Sequence, residues 1–223
     1  MEIQERDTRI IEFIRRFKVT TVRLTSALYF PNRTTEPCRK RLQGLYQNRY
    51  IDRDGGGFGR ENVFYPKGHR RYNQVETERR LAVTRFYVEL VKATQKGILH
   101  YETYTKVDYA PFDLIVHFRY NQRRYLVFVN SSFYKKYPKD KIIKWYNDSK
   151  LFKKYIQENY GMVDAFCFVN LVDRNIKGKS IKSEGRFNVT ELDIQSDNFL
   201  QPLLNKLKED EPQIALRKVI TTS

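Results

Sequence analysis

The segment 34–66, TTEPCRKRLQGLYQNRYIDRDGGGFGRENVFYP, constrains the chain most, because its apolar spacing switches from a helical to a strand period and a glycine-rich tip joins the strands. Thr34 or Thr35 can cap a helix, Pro37 suits an early helical position, and Cys38, Leu42 and Leu45 recur at helical spacing, so that stripe faces a core. Glu36, Arg39, Lys40, Gln43 and Gln47 then share the opposite face and carry donors and acceptors that read base edges or hold phosphates. Tyr50-Ile51-Asp52-Arg53 and Asn62-Val63-Phe64-Tyr65 follow as short strands around 54–60, where Gly55, Gly56, Gly57 and Gly59 permit positive φ and close backbone approach. Arg53 and Arg60 flank that tip, placed to reach a minor groove or a phosphate, and Asn62 enters the return strand. Alone, either element is an ordinary surface helix or a flexible hairpin; together, in this order, they point to double-stranded DNA.

The residues ahead agree. Ile10, Phe13, Ile14 and Phe17 give 6–18 one apolar side, as in an amphipathic helix. Thr21 then caps a shorter helix through Val22, Leu24, Ala27 and Leu28 that stops near Pro31, and Asn32 and Arg33 turn into the third helix. Helix, helix, helix, wing is the order of a winged helix-turn-helix, in which Thr20, Thr21, Arg33, Thr34 and Thr35 would lie against the DNA backbone.

Charge supports that partner. The 223 residues hold 42 Lys plus Arg against 26 Asp plus Glu, a formal net charge of +16, and residues 1–75 carry half of the surplus in a third of the length. No apolar run reaches the length that spans a bilayer, so no membrane partner is expected, and the polar opening MEIQERDTRI lacks the apolar core of a secretory signal, which places the chain in the cytoplasm. Cys38 and Cys167 sit singly in apolar surroundings and read as buried thiols; His69, His100 and His117 are too dispersed for a zinc site.

Beyond the hairpin, 77–93 reads as a helix that either connects the first domain to the second or opens the second. Residues 100–105, 112–120, 125–129, 165–171 and 186–194 read as strands, with Asn121-Gln122-Arg123 turning between two of them and Lys177-Gly178-Lys179-Ser180 in a loop. One long helix is expected over 139–159, with Ile142, Trp145, Phe152 and Ile156 inward, and a last one holds Phe199, Leu200, Leu203, Leu204 and Leu207. Lys135, Lys136, Lys139, Lys141 and Lys144 crowd the entry to the long helix, followed by Lys150, Lys153 and Lys154, and form either a solvated face or additional phosphate contacts. The expected fold is α+β: a winged helix-turn-helix at 1–75, a three-layer mixed α/β domain at 76–208 and a short tail at 209–223.

Arg6-Asp7, the run Leu24-Thr25-Ser26-Ala27-Leu28-Tyr29-Phe30-Pro31, Arg39-Lys40-Arg41-Leu42-Gln43-Gly44-Leu45 and Ile51-Asp52-Arg53, together with the element order of the second half, resemble the replication-relaxation family of plasmid, phage and conjugative-element proteins. That resemblance implies a second domain of restriction-endonuclease-like, PD-(D/E)xK topology. Such a nuclease needs an acid at one strand and an acid-x-Lys on its neighbour to hold Mg²⁺. Asp113 fills the first place, but Phe128-Val129-Asn130 stands at the second, and no Asp or Glu occurs between Leu114 and Lys139. The expected activity is therefore sequence-specific DNA binding without catalysis, cofactor or metal, marking a replication or transfer origin or an operator. A homodimer, and a relaxase or replication protein, are the protein partners that this role implies. The competing expectation is a Mg²⁺-dependent nuclease or nicking enzyme that gathers Asp113, Glu102, Glu89 and Lys144.

Overall fold

Helix α1 (Glu5–Phe17) starts at a capping box, in which Asp7 accepts the backbone N–H of Gln4 at 2.7 Å, and ends where Lys18 turns left-handed at φ 67°. The structure is a computed structural model and describes residues 2–55, 61–69, 71–95, 97–132, 138–173 and 189–209. The chain falls into two units, Met1–Lys92 and Ala93–Ser223. In the first, β1 (Thr20–Thr21) leads into α2 (Val22–Tyr29), whose start is held by the Thr21 hydroxyl, accepting the Leu24 N–H at 3.4 Å, and by Glu61, accepting the Arg23 N–H at 2.7 Å. Helix α3 (Glu36–Gln47) comes next, with Pro37 in its first turn, and then the antiparallel pair β2 (Ile51–Asp54) and β3 (Val63–Pro66), with Asp54 opposite Val63. Strand β1 completes a sheet of order β1-β3-β2. Two residues are too few to show a strand period, so β1 leaves no mark in the sequence.

Ile10, Ile14, Val22, Cys38, Leu42, Leu45, Ile51 and Phe64 pack into one core, so each of the three helices and both hairpin strands contribute to it. Helix α4 (Gln74–Ala93) joins this unit: Tyr87 packs its ring 4.8 Å from Phe17, and the Thr84 hydroxyl donates to the Val19 carbonyl at 3.3 Å. The division between units thus falls at the end of this helix, not at its start near residue 75.

The second unit is built on a mixed five-stranded sheet of order β4-β5-β6-β7-β8. Strands β4 (Ile98–Val107), β5 (Ala110–Tyr120) and β6 (Arg123–Ser131) form an antiparallel meander, and β7 (Ala165–Val172) and β8 (Val189–Asp193) add in parallel. A parallel neighbour requires a crossover, and α5 (Lys139–Asn147) with α6 (Ser149–Tyr160) supplies it between β6 and β7. These helices bury Ile142, Trp145, Phe152 and Ile156 against Leu126, Phe128 and Phe168. Tyr125, whose side chain alternates to the other face, donates its hydroxyl to the Leu207 carbonyl of α7 (Gln201–Glu209) at 2.8 Å, so helices cover both faces.

The single helix expected over 139–159 is two. Asp148 leaves helical geometry at ψ 85° and caps α6 through its carboxylate, which accepts the Leu151 N–H at 3.2 Å; Asn147-Asp148-Ser149 is a run of cap-forming residues inside an otherwise helical period. Helix α7 begins two residues later than the apolar run, with Phe199 and Leu200 buried in the turn ahead of it. Residues 177–180, expected in a loop, and 186–188 lie outside the described residues. Among the described residues no helix is long and apolar enough to cross a membrane.

One ion pair ties the first helix to the third. Asp7 is fully buried, and its Oδ1 accepts Arg41 Nε at 2.5 Å while Oδ2 accepts Arg41 Nη2. The Arg41 guanidinium holds the Asp7 carboxyl below its ordinary range, with help from the Gln4 N–H. A depressed folded-state pKa stabilises the fold fully above the unfolded value, about 4, and that contribution is lost as pH falls through the lower folded value. Asp7→Asn is expected to cost on the order of 2 to 3 kcal/mol at neutral pH and to flatten the loss of stability in acid. Urea unfolding of both proteins across the acidic range checks this; parallel pH profiles would show that the pair contributes nothing.

Candidate nucleic-acid interface

The spacing that buries Cys38, Leu42 and Leu45 leaves Glu36, Arg39, Lys40 and Gln47 exposed on the other side of α3. Burial pushes the Cys38 thiol up to about 12, so it stays protonated as a small apolar group; Cys167 is likewise a buried thiol. Arg39 pairs loosely with Glu36 at 3.4 Å on the helix surface, both side chains more than half exposed, which orients the guanidinium at little cost to its availability. Arg33, Thr34 and Thr35 are exposed just ahead of the helix, and the Thr35 hydroxyl makes no capping bond.

Several expected contacts turn inward instead. Thr20 is fully buried with its hydroxyl 3.0 Å from that of Thr25, and Thr21 is buried with its hydroxyl committed to the α2 cap, so both are structural groups of the β1–α2 corner. Arg53 does not extend along the hairpin: it folds back onto α3, donating Nη1 to Gln43 Oε1 at 2.6 Å, with its guanidinium 4.7 Å from the centroid of the Tyr46 ring. Gln43 and Arg53 thereby lock strand β2 to the last turns of α3, leaving Arg39 and Lys40 as the outward cations of the helix. Tyr46, the platform of that lock, and Glu61, which holds the start of α2, are not legible in the sequence, because each acts on a residue that no local period connects to it. Asn62 is half-buried at the entry to β3, and Arg60 lies outside the described residues.

In the second unit Lys141 and Lys144 are exposed on α5, Lys144 with its ammonium 5.4 Å from the Tyr109 ring centroid, and Lys150 and Lys154 are exposed on α6. Lys139 and Lys153 are half-buried, and Lys135 and Lys136 lie outside the described residues.

A different polar group lies inside the same sheet. Asn130 of β6 pairs in register with Asn170 of β7, and Asn170 with Glu191 of β8; Asp113 of β5 lies just beyond the last β5–β6 pair, Leu114–Val129, and reaches β6 at Ser131. Asn130 and Asn170 share the face that carries Phe128 and Phe168. Asp113, Asn130, Ser131 and Asn170 are all buried. Asp113 Oδ2 accepts the Ser131 N–H at 2.8 Å, but Asn130 Nδ2, Ser131 Oγ and both amide atoms of Asn170 have no hydrogen-bond partner. The donor set does not fit the two-carboxylate Mg²⁺ centre of a PD-(D/E)xK nuclease, because neutral amides stand beside the carboxylate of Asp113. The other candidates have partners of their own. Glu102 accepts the hydroxyls of Tyr160 at 2.8 Å and Tyr155 at 3.4 Å, Lys144 sits over Tyr109, and Glu89 of the other unit pairs with Lys92 at 2.9 Å. Burial above all raises the Tyr155 and Tyr160 phenols, so neither supplies a phenolate nucleophile at neutral pH.

No family model matches this chain, and no curated protein matches it. Among the solved structures that do is the restriction endonuclease FokI bound to DNA, 12% identical over 96% of this chain and 46% of that one, at a TM-score of 0.30. The chain thus spans less than half the length of that protein.

An amide buried without partners destabilises the fold that holds it. Asn170→Leu, close in shape, is expected to raise the unfolding free energy by about 1 to 2 kcal/mol, measured by chemical denaturation. A destabilised variant would show that the Asn170 amide is satisfied in solution.

Proposed function

We propose that the chain is a sequence-specific double-stranded DNA-binding protein in which α1, α2, α3 and the β2–β3 hairpin act as a winged helix-turn-helix. The observation that carries this reading is the outward face of α3. Arg39 and Lys40 project from a helix whose opposite side is anchored in the core and whose last turns are locked to the hairpin by Gln43, Tyr46 and Arg53. Rigid seating of a basic helix is what base readout needs, since a bidentate contact tolerates little misplacement. Arg39 and Lys40 enter the major groove, Glu36 accepts from an exposed base amine, and Arg33, Thr34 and Thr35 contact the backbone around the helix entrance. Arg60 and Asn62 of the hairpin belong to the same surface in this reading, and the net charge of +16 supports phosphate attraction over a wide area.

The second unit serves this binding without chemistry of its own, as a nuclease-like scaffold that lacks the second acid. Its lysines on α5 and α6 add phosphate grip, or its surface pairs two copies of the chain or recruits a relaxase or replication protein. In keeping with the resemblance to the replication-relaxation family, the DNA site is a replication or transfer origin or an operator of a mobile element. One observation favours a second reading, a nicking enzyme: the buried, unpartnered amides beside Asp113 lie at the carboxyl ends of β6 and β7, where open α/β sheets bind ligands.

Arg39→Ala is expected to weaken binding to the preferred duplex by about 1 to 3 kcal/mol and relax base preference at one position, leaving non-specific binding nearly intact. Selection of duplexes from a random pool by both proteins tests it, and identical preferences would remove α3 from the interface. Supercoiled plasmid incubated with the wild type and Mg²⁺ or Mn²⁺ is expected to stay intact; nicking that disappears in Asp113→Ala would establish the second reading.

A further inference from the structure

The hairpin between β5 and β6 places like charges against each other beside its turn. Arg119 lies directly opposite Arg124, and Tyr120 opposite Arg123. Arginines facing across an antiparallel pair repel one another and destabilise a sheet unless an anion relieves them. No acid in the sequence between Leu114 and Lys139 does so, and no salt bridge to Arg119 or Arg124 occurs among the described residues. The nearby Asp164 accepts the backbone N–H of Arg124 at its Oδ2, at 2.8 Å, and makes no salt bridge with the guanidinium.

The arrangement is held rigidly. Asn121 and Gln122 make a two-residue turn with both φ positive, 48° and 65°, the geometry that matches strand twist in tight hairpins. On the other edge, the Arg119 N–H donates to the Gly97 carbonyl at 2.7 Å, and a Cβ at Gly97 would fall 2.2 Å from the Arg119 carbonyl oxygen, so the chain approaches as closely as glycine allows. Next inward on the same face, His117 is buried, and its Nε2 has no hydrogen-bond partner. Desolvation, then the charges of Arg124 and His100, lower its proton affinity, which keeps that ring neutral beside the guanidinium.

We infer that the Arg119–Arg124 rung is a phosphate-binding site of the second unit, which grips nucleic-acid backbone without reading sequence. Two guanidinium forks on neighbouring strands, without an acid in salt-bridge contact, suit the oxygens of a phosphodiester. The site uses residues other than the lysines of α5 and α6. It rests on the duplex-DNA reading only for the identity of the polyanion.

The test uses the full chain and a short mixed-sequence DNA duplex, titrated at several salt concentrations. In Arg119→Gln/Arg124→Gln the slope of log K against log salt is expected to fall in magnitude by about 1 to 2, while Arg119→Lys/Arg124→Lys, which keeps the charge, retains most of it. Should the double glutamine variant melt early, Arg119→Gln alone, at an exposed position, carries the test with a change of about 1. A well-folded glutamine variant with the wild-type slope overturns this site and leaves the proposed function standing. A wild-type chain that binds no duplex overturns both.

Discussion

The seating of α3 is the constraint on which the first unit depends. Its apolar stripe alone would let it slide or roll within the core, since Cys38, Leu42 and Leu45 are modest in size and non-directional in contact. Two polar locks fix it. On one side the buried carboxylate of Asp7 takes both forks of Arg41, so α1 and α3 share a bond whose geometry permits one orientation. On the other, Arg53 lies on Tyr46 and donates to Gln43, fixing the hairpin to the end of the same helix. Breaking either leaves a charge or an amide without its partner, which penalises alternative seatings more than it stabilises this one.

The second unit places its conflicts where its core does not need them. The interior of its sheet is aromatic and tightly packed, with the Phe128 ring 5.1 Å from Phe168 and 5.5 Å from Trp145. At the carboxyl ends of β6 and β7 that packing gives way to buried amides, and beside the turn that joins β5 to β6 it gives way to facing arginines. Both features cost stability in the isolated chain. Natural proteins concentrate such costs at sites that bind, and the two ends of this sheet offer a cluster of buried polar groups and a cationic rung.

Much of this fold is visible in the sequence, for reasons that differ by element. The helical stripes of α1 and α3, the strand pair around the glycines and the nearly continuous apolar runs of β5, β6 and β7 follow from period alone. The break at Asp148 is hidden because the apolar period continues across it through Trp145 and Phe152, while the capping chemistry of the intervening residues is local. At the candidate interface, Arg39 and Lys40 can be placed from helical phase, whereas the inward turns of Thr20, Gln43 and Arg53 depend on partners that only tertiary structure supplies. The facing arginines of the β5–β6 hairpin are also beyond reach: a turn at Asn121-Gln122-Arg123 can be read from the sequence, but strand register is set by the form of the turn, and Gln122 does not announce a two-residue turn with both φ positive.

If α3 and the adjoining hairpin form the surface on which duplex DNA sits, amide hydrogen exchange of the full chain, with and without a duplex selected by the protein itself, tests it most directly. Added protection is expected over the first turns of α3 and over β2 and β3. Unchanged exchange in those segments, with protection confined to the second unit, would contradict that placement of the DNA.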